Sequence, residues 1–144
     1  MVTPEDCIKK YGLPTPEFEH KWMGMYLVPE DVHRACVPIP LKLYCNKDFA
    51  MPFMNALKQA MKQGVAHELI EYGGVFNIRL RRGSTTQYSI HSWAIAVDLN
   101  MTTNALGAKP QMSKELVKCF TDNGFEWGGN WKRKDGMHFQ LASI

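Results

Sequence analysis

The chain has 144 residues, 45% hydrophobic and 22% charged, which is enough for one domain with its own core and ordinary for a globular fold. Lysine and arginine total 17 against 14 acids, a net charge of +3, and the basic residues stand in short runs, so the phosphate-binding footprint of a nucleic-acid protein is not expected. The apolar stretches Met25–Val28 and Trp93–Val97 fall far short of the ~18 residues a membrane span needs.

In chain order, Thr3-Pro4-Glu5-Asp6 predicts a helix start: a threonine cap, proline at the first helical position and acids at the positive end of the dipole. Gly12 ends it. The same residues occupy the place of a secretion signal's basic and apolar regions, so the expectation is synthesis in a cytoplasm without an export signal. From Trp22 to Tyr44, short apolar pieces alternate with Pro29, Pro38 and Pro40, which reads as extended chain with an edge strand. Phe49, Phe53, Ala56, Leu57 and Ala60 recur at helical spacing between about Asp48 and Gly64, provided Pro52 lies near the first turn. Strand-like pieces follow at Glu68–Tyr72 and Val75–Arg79, split by Gly73-Gly74. Ser113 caps a second amphipathic helix running to Asn123, closed by Gly124. Phe125–Trp127 and Met137–Leu141 read as two strands joined by a glycine-rich loop. Without a regular βαβ rhythm, the pattern predicts a single α+β domain, its sheet mainly antiparallel and flanked by helices. Cys7, Cys36, Cys45 and Cys119 form no Cys-x-x-Cys pair and are expected to be reduced and partly buried.

Chemistry concentrates in two places. Ser89-Ile90-His91-Ser92-Trp93-Ala94-Ile95-Ala96-Val97-Asp98 alternates near its end, with Ile95 and Val97 toward a core. Ala94, Ala96 and Asp98 then line a narrow face that something could approach. Seven residues separate His91 from Asp98; that is ~10 Å on one helix and ~23 Å on one strand. They can share a metal only if the chain turns at Ser92-Trp93. In Asp135-Gly136-Met137-His138-Phe139, a turn at Gly136 would aim Asp135 and His138 into one cavity. By themselves, these residues also fit a solvated turn and a satisfied half-buried histidine.

Taken jointly, Ser89-x-His91-x-x-Ala94-x-Ala96-x-Asp98, then Trp131 and Asp135-x-x-His138-Phe139, closely resemble the zinc peptidases of the M15 class. These are the D-alanyl-D-alanine carboxypeptidases and dipeptidases and the phage L-alanyl-D-glutamate endolysins. The resemblance runs from about Leu41 to the end, within a single peptidase domain of residues 1–144 in which residues 1–40 are an extension of unplaced role. It implies a fold of the D-Ala-D-Ala carboxypeptidase/hedgehog-like type. It further implies one zinc ion held by His91, Asp98 and His138, with a fourth position open for water. Asp135 would be the general base. Arg79, in Asn77-Ile78-Arg79, would stabilise the oxyanion, although beside Arg81 and Arg82 it also reads as a solvated strand end. Ser89 would support a ligand, and Trp131 or Trp127 would flank a peptide stem.

Two positions depart from the pattern. Ala94 stands where the family usually has glycine, and its methyl is expected to narrow the cleft or shift the strand. Asp135 stands where many carboxypeptidases have glutamate, whereas the phage endopeptidases more often have aspartate. The implied function is therefore a zinc-dependent peptidoglycan peptidase, an endolysin that cleaves between L-Ala and D-Glu of the peptide stem and acts at the cell wall after synthesis in a host cytoplasm. The alternatives are a D-Ala-D-Ala carboxypeptidase or dipeptidase and, in another class, a wall-binding or phage structural module with a weak metal site. No heptad pattern suggests a coiled coil, and a monomer is expected.

Overall fold

The structure, a computed structural model, describes residues 1–144. Helix α1 (Pro4–Tyr11) begins on a capping box, in which the Thr3 hydroxyl accepts from the Asp6 N–H and the Asp6 carboxylate accepts from the Thr3 N–H. It ends at Gly12, whose φ of 81° lies in the left-handed region. Thr15 caps α2 (Pro16–Trp22), its hydroxyl accepting from the Phe18 N–H without a reciprocal bond. Strand β1 (Met23–Leu27) pairs antiparallel with β2 (Lys42–Asn46), Met23 opposite Asn46.

Between these strands the extended reading fails. Residues Glu30–Ala35 form a short helix, α3, that follows Pro29 and carries Glu30 and Asp31 in its first turn. Acids after a proline are a helix start, and Val32 anchors the turn in the core at 1% exposure.

Helix α4 (Lys47–Lys62) starts one residue earlier than the spacing predicts, capped by Asn46, whose side chain accepts from the Asp48 N–H. Pro52 therefore sits in its second turn, where it leaves the Asp48 carbonyl without an intrahelical donor. The helix continues because Phe49, Phe53, Ala56, Leu57 and Ala60 are all buried. Phe49 and Phe53 stack on each other and meet Phe125 edge-on. Helix α5 (Lys114–Thr121), capped by Ser113, lays Leu116, Cys119 and Phe120 on the same core.

The second sheet has four strands in the order β3-β4-β6-β5, every pair antiparallel: β3 (Tyr72–Gly74), β4 (Ala96–Leu99), β5 (Phe125–Trp127) and β6 (His138–Leu141). The molecule is thus a single small α+β domain with antiparallel sheets flanked by helices. Of the two strand-like pieces expected in this region, Glu68–Tyr72 starts at the end of a 3-10 turn (Ala66–Glu68), runs on as irregular chain and enters β3 only at Tyr72. Val75–Arg79 runs beside the 89–92 segment with isolated bonds instead of a ladder. Gly73-Gly74 gave the signal for a break, but β3 lies across the glycines. The reason is close approach: a Cβ on Gly73 would come within 3.0 Å of the Asp98 Cβ.

One hydrophobic cluster unites all of this. It includes Val2, Cys7, Tyr11 and Phe18 from the first forty residues alongside Trp93, Val97 and Phe139. All four cysteines are free and buried, and burial pushes the Cys7 and Cys45 thiols up to about 12. No helix is long and apolar enough to cross a membrane.

Candidate metal centre and peptide cleft

The site is built on the β4–β6 pair. The register places Asp98 directly opposite His138, and opposite residues of an antiparallel pair hold their side chains ~4.5–5.5 Å apart on one face. His91 arrives from the preceding turn. Ser89 caps a 3-10 helix (Ile90–Trp93), its hydroxyl accepting from the His91 N–H, and Ala94 reverses the chain with φ 55° and ψ 40°. The chain therefore turns where the spacing required it.

Three braces hold that turn. Asn46, at the start of α4, donates from its side chain to the Trp93 carbonyl. The Trp93 indole N–H donates to the Gly12 carbonyl at the end of α1, and the Ser92 hydroxyl accepts from the Arg79 N–H.

His91, Asp98 and His138 consequently offer ligand atoms that all lie within 4.8 Å of one another. The outer ring nitrogens set the tautomers. His91 Nδ1 lies 2.9 Å from the Val75 carbonyl, and His138 Nε2 lies 2.9 Å from Gln140 Oε1. Both contacts require an N–H, so each neutral ring turns a bare lone pair inward. His91 Nε2 is 3.3 Å from Asp98 Oδ2, and His138 Nδ1 is 3.4 Å from Asp98 Oδ1. These are ion-pair distances, yet His91 Nε2 is buried without a hydrogen-bond partner. Lone pairs facing a carboxylate repel unless a proton or a cation lies between them.

Two imidazole nitrogens and one carboxylate oxygen, with both rings oriented by acceptors on their far side, match the donor chemistry of a zinc site. The residues present fit the ion. Burial alone would raise the Asp98 carboxyl, but His138 and His91 hold it below its ordinary value. Burial would lower the His138 ring, but Asp98 and Gln140 hold it above.

The cluster opens into a cleft of about 320 Å³ that is also lined by Arg79, Ser89, Trp131 and Asp135. Asp135 reaches it through the irregular chain before β6. Its N–H donates to the Gly128 carbonyl, and its own carbonyl accepts from the His138 N–H. Gly128 makes this turn possible, since a Cβ there would lie 2.5 Å from the Asp135 carbonyl oxygen and 3.3 Å from the His138 Cβ. Burial raises the Asp135 carboxyl and nearby Asp98 adds to the effect, while His138 opposes it. A carboxyl shifted upward holds a proton more readily than an ordinary aspartate, which suits it to proton exchange. The Trp131 ring lies 5.3 Å from the His138 ring, its indole N–H donating to Glu126 Oε1. Trp127 instead donates to the Gly136 carbonyl and stacks on Phe139, bracing the loop from behind.

Two expectations about this region need correction. The face of Ala94 and Ala96 is not open to any approaching group: both residues are 0% exposed. Nor does the Ala94 methyl narrow the cleft, whose lining it does not join. What the position demands is a positive φ, which a Cβ opposes, and that is a physical reason for glycine there.

The spacing also missed Gln140. It is 1% exposed, and its amide donates to the Val2 carbonyl at 3.2 Å, so its oxygen faces His138. Only the alternation of β6, which puts residues 138 and 140 on one face, could have pointed to it.

Residues 82–141 match a family model described as D-alanyl-D-alanine carboxypeptidase. The matched segment spans His91, Asp98, Asp135 and His138, the residues that converge on the cleft. That family model is of the M15 peptidase type, and the match covers 60 of the chain's 144 residues. No curated protein and no solved structure matches the chain. Arg82 is the first matched residue, and Arg79 and Arg81, which also line the cleft, lie just before it.

Proposed function

We propose that the chain is a zinc-dependent peptidase of peptidoglycan stem peptides and that it cleaves the bond between L-Ala and D-Glu. One observation carries the reading: two imidazoles, one carboxylate and a second, upward-shifted carboxyl converge on a single cleft from two separate stretches of chain. In this reading His91 Nε2, Asp98 and His138 Nδ1 hold the ion. Bound there, zinc supplies Lewis acidity, favouring deprotonation of water and polarising the amide carbonyl. Asp135 takes the proton from the attacking water and returns it to the leaving nitrogen. Arg79 offers a fixed positive charge to the oxyanion that develops on the carbonyl. The Ser89 hydroxyl secures the His91 backbone, and the Trp131 ring shields the His138 side of the cleft and offers a flat apolar wall to the stem.

Asp135 in place of glutamate supports the endopeptidase over the carboxypeptidase, and with it an endolysin's site of action at the cell wall. The description of the matched family favours the second reading, removal of a terminal D-alanine. Mass spectrometry of purified peptidoglycan digested by the zinc-loaded protein, with and without chelator, decides between them. New D-glutamyl amino ends are expected. Free D-alanine would establish the carboxypeptidase, and an undigested wall would leave a binding module.

A further inference from the structure

The chain has five arginines. Arg34 pairs with Glu30 on α3. The other four, Arg79, Arg81, Arg82 and Arg133, all line the cleft, and none of them forms an ion pair. They come from two loops far apart in sequence. Arg79, Arg81 and Arg82 flank the turn that the Leu80–Tyr88 bridge closes, while Arg133 lies between Trp131 and Asp135. Arg81 is steadied only by a neutral partner, Gln87 Oε1 at 3.1 Å.

The cleft's acids are Asp98 and Asp135. The first is committed to the two histidines and the second to proton transfer in the reaction proposed above, so neither is left to neutralise the guanidinium groups. Like charges gathered around one cavity repel each other, and an anionic ligand would relieve that cost. A guanidinium offers a planar fork that matches a carboxylate with two parallel hydrogen bonds.

We infer that Arg81, Arg82 and Arg133 form an anion subsite for free carboxylates of the substrate, so that the cleft selects an acidic peptide bearing at least two carboxylates near the scissile bond. The inference rests on the peptidase reading for what the cleft does, and Arg79 is left to the oxyanion. Arg81 and Arg82 grip from one wall and Arg133 from the other. The free carboxylates on the D-Glu side of the scissile bond are then held near Asp135.

The test uses the zinc-loaded whole chain and two synthetic stem peptides that are identical except that one carries free glutamyl and terminal carboxylates and the other carries carboxamides. Amidation is expected to raise KM roughly tenfold or more, the scale of losing one charge-assisted contact, with kcat little changed. In an Arg81→Ala/Arg133→Ala double variant both peptides should share the high KM. Lys62→Ala, which removes a charge from the exposed end of α4, should leave the preference intact.

Equal KM values for the two peptides in the wild type overturn the subsite. So does a Lys62→Ala protein that loses the preference as fully as the arginine variant, since the effect would then be one of net charge. If neither peptide is hydrolysed, the peptidase reading fails separately. Calorimetric titration of Asp135→Asn with the same pair then decides the subsite: roughly tenfold tighter binding of the acid form upholds it. Equal affinities, or displacement by inorganic phosphate at the peptide's own concentration, overturn it.

Discussion

The two halves of the cleft are built in opposite ways. Asp98 and His138 face each other across a central strand pair, and both histidines are less than a tenth exposed. The arginines, by contrast, stand exposed on loops without ion-pair partners. Ligand atoms that must meet within a few ångströms need the fixed spacing of a ladder, with neighbours behind them to set the tautomers. Groups that grip a flexible peptide can travel, and they act at the range of a full charge. Changes on the sheet side should therefore move metal binding, and changes on the loop side should move turnover or KM while the metal stays.

The largest effect is expected on the sheet. His138→Ala should lower zinc affinity, measured against a chromophoric chelator, by more than the roughly 10–100-fold typical of changes behind a ligand, and abolish hydrolysis. Asp135→Asn, on the loop side, should lower kcat by ~10²–10⁴ with zinc affinity nearly unchanged. Loss of zinc in that variant would break the contrast. Gln140→Leu tests how far the sheet side extends. Removing the acceptor behind His138 should weaken zinc binding by ~10–100-fold in a protein whose circular dichroism is unaltered, and Gln140→Glu, which keeps an acceptor, should restore most of it.

The pH dependence comes next, and its sign differs with and without the metal. Asp98 titrates below its ordinary 3.8, so its contribution is present above that value and is lost as pH falls through the lowered one. His138 titrates above its ordinary 6.5, so its contribution is present below that value and is lost as pH rises through the raised one. The metal-free protein should therefore resist urea better at about pH 5 than at about pH 8. Zinc requires the unprotonated ring, so the extra stability it confers should grow over the same interval. A zinc-induced gain that is flat across that range would contradict the ligand role of His138. The smallest effect is Ala94→Gly. Relief of the left-handed backbone, less the added chain entropy, should raise stability by about 0.5–1 kcal/mol without changing kcat, because the methyl does not line the cleft.

Local rules served well where one segment decides its own structure. Thr3, Ser113 and Gly124 are read correctly because a cap or a left-handed glycine is a property of a few neighbouring residues. The aromatic spacing of α4 outweighs Pro52 because burial of its apolar face exceeds the loss of one hydrogen bond. His91, Asp98 and His138, whose side chains converge, were legible as a motif, and the turn at Ser92-Trp93 followed from the distance between His91 and Asp98 if they were to meet. What could not be read is the strand register. Nothing near Asp98 says that His138 lies opposite, and so nothing says that Gln140 stands behind His138 or that Gly128 must lack a side chain. Val75–Arg79 misled because its apolar alternation suits a strand, whereas in the fold its backbone is spent on the Ser89–Ser92 turn. The mistaken open face of Ala94 and Ala96 has a related cause: small side chains leave room equally for a visitor and for tight packing.

The contact between Val2 and Gln140 joins residues 138 positions apart. Val2 is thus part of the hydrogen-bond wiring behind the His138 ring. Changing Met1 and Val2, or stiffening them with a purification handle, is expected to disturb the Gln140–His138 contact, and preparations that differ only there should differ in zinc affinity.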